Sequence, residues 1–383
     1  MALLDEAYMS RPRVLYILGS LAANDVGDEI VTLLAHLSRS SFEPYVVNLG
    51  GPEDLRRRLE EMTVETHSLG MVGPFGAYRA VSRTRGLVRR LGARLVHGYG
   101  SWGGSVAQLA APRDVAVVRS VTQAPNHEKD MRGRVLRYME RRARSHADTR
   151  FVVPNEGSVG LAIRAYGALE GHVSVLPTSV DVDEVRDRIR RTTREHARVL
   201  MGIAPEQTAF VLMTDFDSGA RMDQILTGFS MAARESPTLR MFVVGSGRYE
   251  GSTRWKAEEL QLEDSLVFLG RGSESGPIWA GADVAIDASP QSSWSRAGLL
   301  AIAAELPTVK LQDGVGGWSV DLDEHLPMVS GHPDRFAMDL MRLASDSGKR
   351  AEIAEHGAKV AKEIDVAGTA GRLGELYRSL LKN

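Results

Sequence analysis

RVLYILGSLAANDVGDEIVTLLAHLS, residues 13–38, contains the pattern that organises the whole chain. The run Val14 to Leu18 has no polar break, as expected of a strand buried on both faces. Gly19 and Ser20 then turn the chain, and apolar residues at helical spacing follow from about Asp28 to Ser38. Strand, small-residue turn and helix make up one half of a parallel crossover unit.

The unit recurs. PYVVNL, ARLVH, VAVVRS, RFVV and HVSVL are further short apolar runs, and helical spacing is expected near 78–91, from Gly104, and near 135–143. A stretch at 182–198 is highly charged and nearly free of large apolar residues, after which AFVLM, TLRMFVVG, SLVFLG, ADVAIDAS and LPTVKLQ restart the alternation. The expected fold class is therefore α/β, with two doubly wound domains facing across a cleft. The expected boundaries are a first domain at 1–181, a charged linker region at 182–205, a second domain at 206–365 and a final helix at 366–383 that crosses back to the first domain.

Composition narrows the function classes. In 383 residues there are 47 Lys and Arg against 49 Asp and Glu, so no global field draws the chain to nucleic acid. The absence of cysteine removes disulfides, thiolate metal sites and thiol nucleophiles. No apolar stretch approaches the roughly 20 residues of a membrane span, and the start lacks the order of a secretory signal. A cytoplasmic protein is expected.

Ligands of doubly wound sheets bind beyond the carboxyl ends of the strands, so the loops there are the candidate sites. The first, Gly19 to Glu29, offers small residues and a helix N-terminus to an anion; as a plain turn it would use Asp25 or Asp28 as a cap. The second places Gly245 and Gly247 directly after an apolar strand. The third is DASPQSSWSRAGLLAIAAELPTV, 287–309, where an apolar helix expected at Arg296 to Ala304 is preceded by Ser292, Ser293, Trp294 and Ser295. Free amides, hydroxyls and Arg296 would suit a diphosphate. The alternative is that the serines only cap the helix and Trp294 fills a surface gap.

Two further features have a structural and a functional reading. Seven arginines between Arg132 and Arg150 describe either a solvated helix face or a peripheral contact with an anionic membrane. His97, expected at a strand end, is either a core histidine or an acceptor-side residue, and the ten histidines show no metal-ligand spacing.

The segments RVLYILGSLA, RLVHGYG, VSVLPTSVDVDEV, FVVGSGRYE, LVFLGR, WAGADVAIDAS, LPTV, DGVGG and LASDSGKRAEIAEHGAKV, in this order, resemble the retaining nucleotide-sugar glycosyltransferases of the GT-B fold. That resemblance implies two Rossmann-like domains, a nucleotide-diphosphate sugar as substrate on the second, an acceptor on the first, and no metal or cofactor. The candidate donor-binding residues are Gly245, Gly247, Arg221, Arg271, Ser292, Ser293, Trp294, Ser295 and Arg296, and the candidate acceptor-side residues are Gly19, Ser20, His97 and Thr122.

The chain departs from the family at reactive positions. Ser292 and Leu300 stand where two carboxylates are expected, Asp215 and Ala220 where an Arg and a Lys neutralise the diphosphate, and Thr122 where a histidine is expected. Asn24 and Asp25 occupy a loop that is glycine-rich in the family. Three readings stay open: a transferase with a rebuilt donor site using Arg221 and Arg296; a non-catalytic relative that binds a nucleotide, a glycan or a partner transferase; and an epimerase, for which no acid–base pair is evident.

Overall fold

In the computed structural model the described residues are 11–22, 25–71, 76–121, 131–143, 148–214, 216, 219–270, 276–289, 294–312 and 328–382. They divide into two units, 1–178 with 366–383 and 179–365.

The first unit alternates β1 (Arg13–Leu18), α1 (Asp25–His36), β2 (Glu43–Asn48), α2 (Arg56–Glu61), β3 (Glu65–Ser68), α3 (Gly76–Leu91), β4 (Leu95–Tyr99), α4 (Gly100–Ala110), β5 (Ala116–Ser120), α5 (Met131–Ala143), β6 (Arg150–Val153), α6 (Val159–Tyr166) and β7 (Val173–Val175). Its strands are all parallel, in the order β3-β2-β1-β4-β5-β6-β7.

The second unit holds α7 (Val182–Arg190), α8 (Arg194–Met201), β8 (Thr208–Met213), α9 (Gly219–Glu235), β9 (Leu239–Val244), α10 (Glu250–Glu259), β10 (Leu266–Gly270), α11 (Gly276–Gly281), β11 (Val284–Asp287), α12 (Arg296–Ala303), β12 (Thr308–Gln312), β13 (Met328–Ser330), α13 (Pro333–Ser345) and α14 (Ser347–Glu363). Its sheet is parallel, in the order β10-β9-β8-β11-β12-β13. Strand order reverses beside β1 in the first unit and beside β8 in the second. These are the switch points at which such sheets hold ligands.

Side-chain alternation explains the layers. Val14, Tyr16 and Leu18 of β1 join a core with α1, while Leu15 and Ile17 join one with α3, α4 and α5 on the opposite face. In the second unit Phe210 and Leu212 face α9 and α13, while Val211 and Met213 face α11 and α12. A last helix, α15 (Val366–Leu381), belongs to the first unit and buries Val366, Ala370, Leu373 and Tyr377 against α1 and Phe42.

Several expectations change. The charged stretch expected to be a linker forms α7 and α8 of the second unit, because Val182 and Val185 of one and Ala197 of the other give each helix a narrow buried stripe. The basic run is not one helix: α5 ends at Ala143 and Arg150 opens β6. Asp28 is not a cap, since it lies inside α1 and its Oδ1 accepts from Arg58 at 2.6 Å. His97 is not at a strand end, since β4 continues two residues further to Tyr99.

Candidate functional site

β11 ends in Asp287, whose side chain is wholly buried. Oδ1 accepts from the backbone N–H of Ser289 at 3.0 Å, and Oδ2 accepts from the backbone N–H of Ser295 at 2.8 Å. One carboxylate thus grips the following loop at both ends. A buried charge needs a partner, and Lys310 of β12 supplies it: Nζ lies 3.1 Å from Oδ2, donates to Ser289 Oγ at 2.9 Å, and sits 5.5 Å from the centre of the Trp294 ring.

The first turn of α12 rests directly on this pair. A Cβ on Gly298 would come within 2.7 Å of Asp287 Oδ2, so only glycine permits the approach. Ser295 caps the helix, its side chain accepting from Gly298 N–H at 3.0 Å. The alternative in which Trp294 fills a surface gap does not hold: it is 5% exposed and packs with Val180, Val182 and Leu299. Leu300 is partly buried between two apolar clusters, which suits a leucine and would not suit a carboxylate.

The remaining loops at this switch point converge on the same edge. Arg221 of α9, which follows β8, is buried and donates from Nη1 to the Ala288 carbonyl at 2.9 Å, joining the loops after β8 and β11. Arg296 donates to the Ser179 carbonyl at 3.3 Å, so the two guanidinium groups serve different carbonyls. Gly245 has φ +137° and passes so close to the Thr214 carbonyl that any Cβ would overlap it, at 1.7 Å. Gly247 is exposed in the next turn and accepts from Glu250 N–H at 3.3 Å. Arg271, Ser292, Ser293 and Asp215 lie outside the described residues, as does the side chain of Ala220.

In the first unit, Gly19 is exposed with open space around it, and Ser20 is half-buried beside Gly51. His97 lies beneath α15, between Tyr377 Oη at 2.5 Å and Ser120 Oγ at 2.8 Å, and is stacked on Tyr99 with centroids 4.4 Å apart. Tyr377 continues the chain to Tyr16 Oη at 3.1 Å. Burial pushes the imidazole down to about 3, so the ring is neutral at physiological pH. A pocket of about 40 Å³ at the carboxyl ends of β4 to β7 is lined by Glu29, His97, Tyr99, Ser120, Pro154 and Thr369, with room for a group the size of a hydroxyl. Thr122, Asn24 and the side chain of Asp25 fall outside the described residues.

Sequence reading missed the Asp287–Lys310 pair. Its signal was present in a single acid ending the run VAID and a single base inside TVKLQ, charges that strands buried on both faces must pair.

Residues 24–178 match the glycosyl transferase 4-like domain. The chain is glycosyltransferase-like, with the GT-B fold. A D-inositol 3-phosphate glycosyltransferase of Corynebacterium urealyticum is 25% identical over 80% of this GT-B chain and 75% of its own length. An alpha-monoglucosyldiacylglycerol synthase of Streptococcus pneumoniae is 22% identical, over 35% of this chain and only 31% of that enzyme. Among solved structures, a glycosyltransferase from Rickettsia africae superposes with TM-score 0.78 at 13% identity, covering 98% of this chain and 100% of the other. Anabaena Alr3699/HepE, solved in complex with UDP, gives TM-score 0.75 at 16% identity over 96% and 100% of the two chains. No described helix of this GT-B chain is long and apolar enough to cross a membrane.

Proposed function

We propose that the second unit binds a nucleoside-diphosphate sugar at the carboxyl ends of β8 and β11, and that the chain transfers the sugar to an acceptor held by the first unit. The observation that carries this reading is the Asp287–Lys310 clamp, which fixes the loop before α12 so that the amides of its first turn are held in place for phosphate oxygens. Arg221 and Arg296 flank that turn as the chain's own cations, and the close approach at Gly245 leaves the loop after β9 free of side-chain bulk. The relative HepE, solved with UDP and with UDP-glucose, adds support by likeness. The protein would work on the cytoplasmic side, in peripheral contact with the membrane through α5.

A second reading, a non-catalytic relative that binds nucleotide or a partner transferase, is favoured by Leu300, whose partly buried side chain stands where the family expects a carboxylate. Calorimetric titration with UDP, GDP, ADP and their sugar conjugates, paired with a donor-hydrolysis assay, separates the two. The expected result is micromolar binding of one nucleotide, weakened about tenfold in Arg296→Ala by loss of a charge-assisted contact, with measurable hydrolysis. Binding without turnover would favour the second reading, and no binding of any nucleotide would overturn the donor-site proposal.

A further inference from the structure

The layer formed by α3, α4 and α5 covers one face of the first unit's sheet and shares one apolar core, so the outer faces of these helices look away from the sheet on the same side. That layer is unusual in charge. α3 carries Arg79, Arg83, Arg85, Arg89 and Arg90, and α5 carries Arg132, Arg134, Arg137, Arg141 and Arg142. The three helices contain one acid, Glu140, and it is buried against Arg119 of β5 at 3.5 Å. Ten arginines without an exposed acid stand on a chain whose formal charge is −2.

The arginines are interleaved with large apolar groups. Tyr78 on α3 is 78% exposed, and Tyr138 and Met131 on α5 are 67% and 60% exposed. Among the described residues Arg79, Arg89, Arg90, Arg132, Arg134 and Arg141 have no acidic partner. A merely solvated helix face mixes both signs of charge and gains i,i+4 pairs; α2, with Arg56 to Glu60 and Arg57 to Glu61, does this in the same unit. The six arginines just named on α3 and α5 do not, among the described residues.

We infer that α3 and α5 together form one docking face for an anionic phospholipid surface, with guanidinium groups meeting lipid phosphates and Tyr78, Tyr138 and Met131 entering the headgroup region. Arginine suits phosphate because its planar fork donates two hydrogen bonds to one group. Exposed tyrosine suits the boundary between water and hydrocarbon, where one end of the ring is apolar and the other wet. Nucleic acid would engage the same charge but has no use for Met131. This inference rests on the peripheral contact proposed for α5 and extends it to a second helix and to a stated lipid chemistry.

The test is co-sedimentation of the whole chain with vesicles of phosphatidylcholine alone and of phosphatidylcholine mixed with phosphatidylglycerol, at low and high salt. Binding is expected only to the mixed vesicles, weakening as salt screens the charges. Arg89→Gln with Arg90→Gln on α3, and Arg132→Gln with Arg134→Gln on α5, should each lower the partition coefficient by about thirtyfold, and Tyr78→Ser with Tyr138→Ser should lower it without changing the salt dependence. These substitutions are at exposed positions, and unchanged thermal melting verifies that the fold is intact. If no variant or lipid matters because nothing binds, the contact proposed for α5 fails. If the α5 pair loses binding while the α3 pair matches the parent chain, the two-helix face is overturned and the α5 contact stands. Equal capture by polyuridylate, insensitive to the tyrosine changes, would overturn the lipid assignment.

Discussion

Lys310 is the single residue on which the second unit's candidate site depends most. Replacing it with methionine removes the only cation within hydrogen-bonding distance of Asp287 among the described residues, leaving a buried carboxylate with the amides of Ser289 and Ser295. Loss of one partner of a buried pair costs about 3 kcal/mol or more, so Lys310→Met should lower the midpoint of chemical unfolding markedly. Asp287→Asn in the same background should recover part of the loss, since an amide needs no counter-charge; no recovery would mean that Lys310 stabilises through packing on Trp294. His97 makes a prediction of the opposite kind. Its folded-state value near 3 lies below the ordinary 6.5, so the unfolded chain binds the extra proton between those values. Stability from this group is full above about pH 6.5 and falls with acidification towards pH 3, by about 1 kcal/mol per pH unit within that window. Melting temperatures of the parent and His97→Gln between pH 7 and pH 4.5 should therefore converge as pH falls; parallel curves would remove His97 as the acid-sensitive group.

Elements were legible to the extent that burial left a pattern. β1, β5, β8 and β9 are almost wholly buried, and each was readable from the apolar run it contains, VLYIL, AVV, AFVLM and MFVV. Helix starts were not: α4 begins at Gly100 and α5 at Met131, each four residues ahead of the apolar periodicity, because GSWG and MRGR fit a helix end without presenting an apolar stripe. α7 and α8 were read as linker for the same reason, since one or two small buried side chains per helix suffice when the rest faces water. The candidate site divides likewise. Gly245 was readable as a glycine directly after a strand but not its close approach to the Thr214 carbonyl, and the Ser295 cap stood among the alternatives because capping chemistry is local. Asp287 with Lys310 left a signal only in the lone charge of each buried strand, whereas His97 with Tyr377 was not readable, since it joins residues from opposite ends of the chain that only the fold brings together.

At the scale of the whole molecule, the first unit is assembled from both ends of the chain. Residues 1–178 expressed alone would leave α1, Phe42 and the His97 hydroxyl network uncovered where α15 packs. That fragment should aggregate or melt far below the full chain in circular dichroism, and joining residues 366–383 to it by a flexible linker should restore a cooperative transition; a fragment that folds equally well without the helix would mean that α15 is a passenger. The same arrangement gives the protein a birth order. A ribosome adding roughly 5 to 20 residues per second spends some ten to forty seconds on the intervening segment, so the second unit emerges and can close while the first still waits for its last helix. The part of the chain translated first is thus the part finished last, and its unsealed apolar floor is exposed to chaperones and proteases for the whole of that interval.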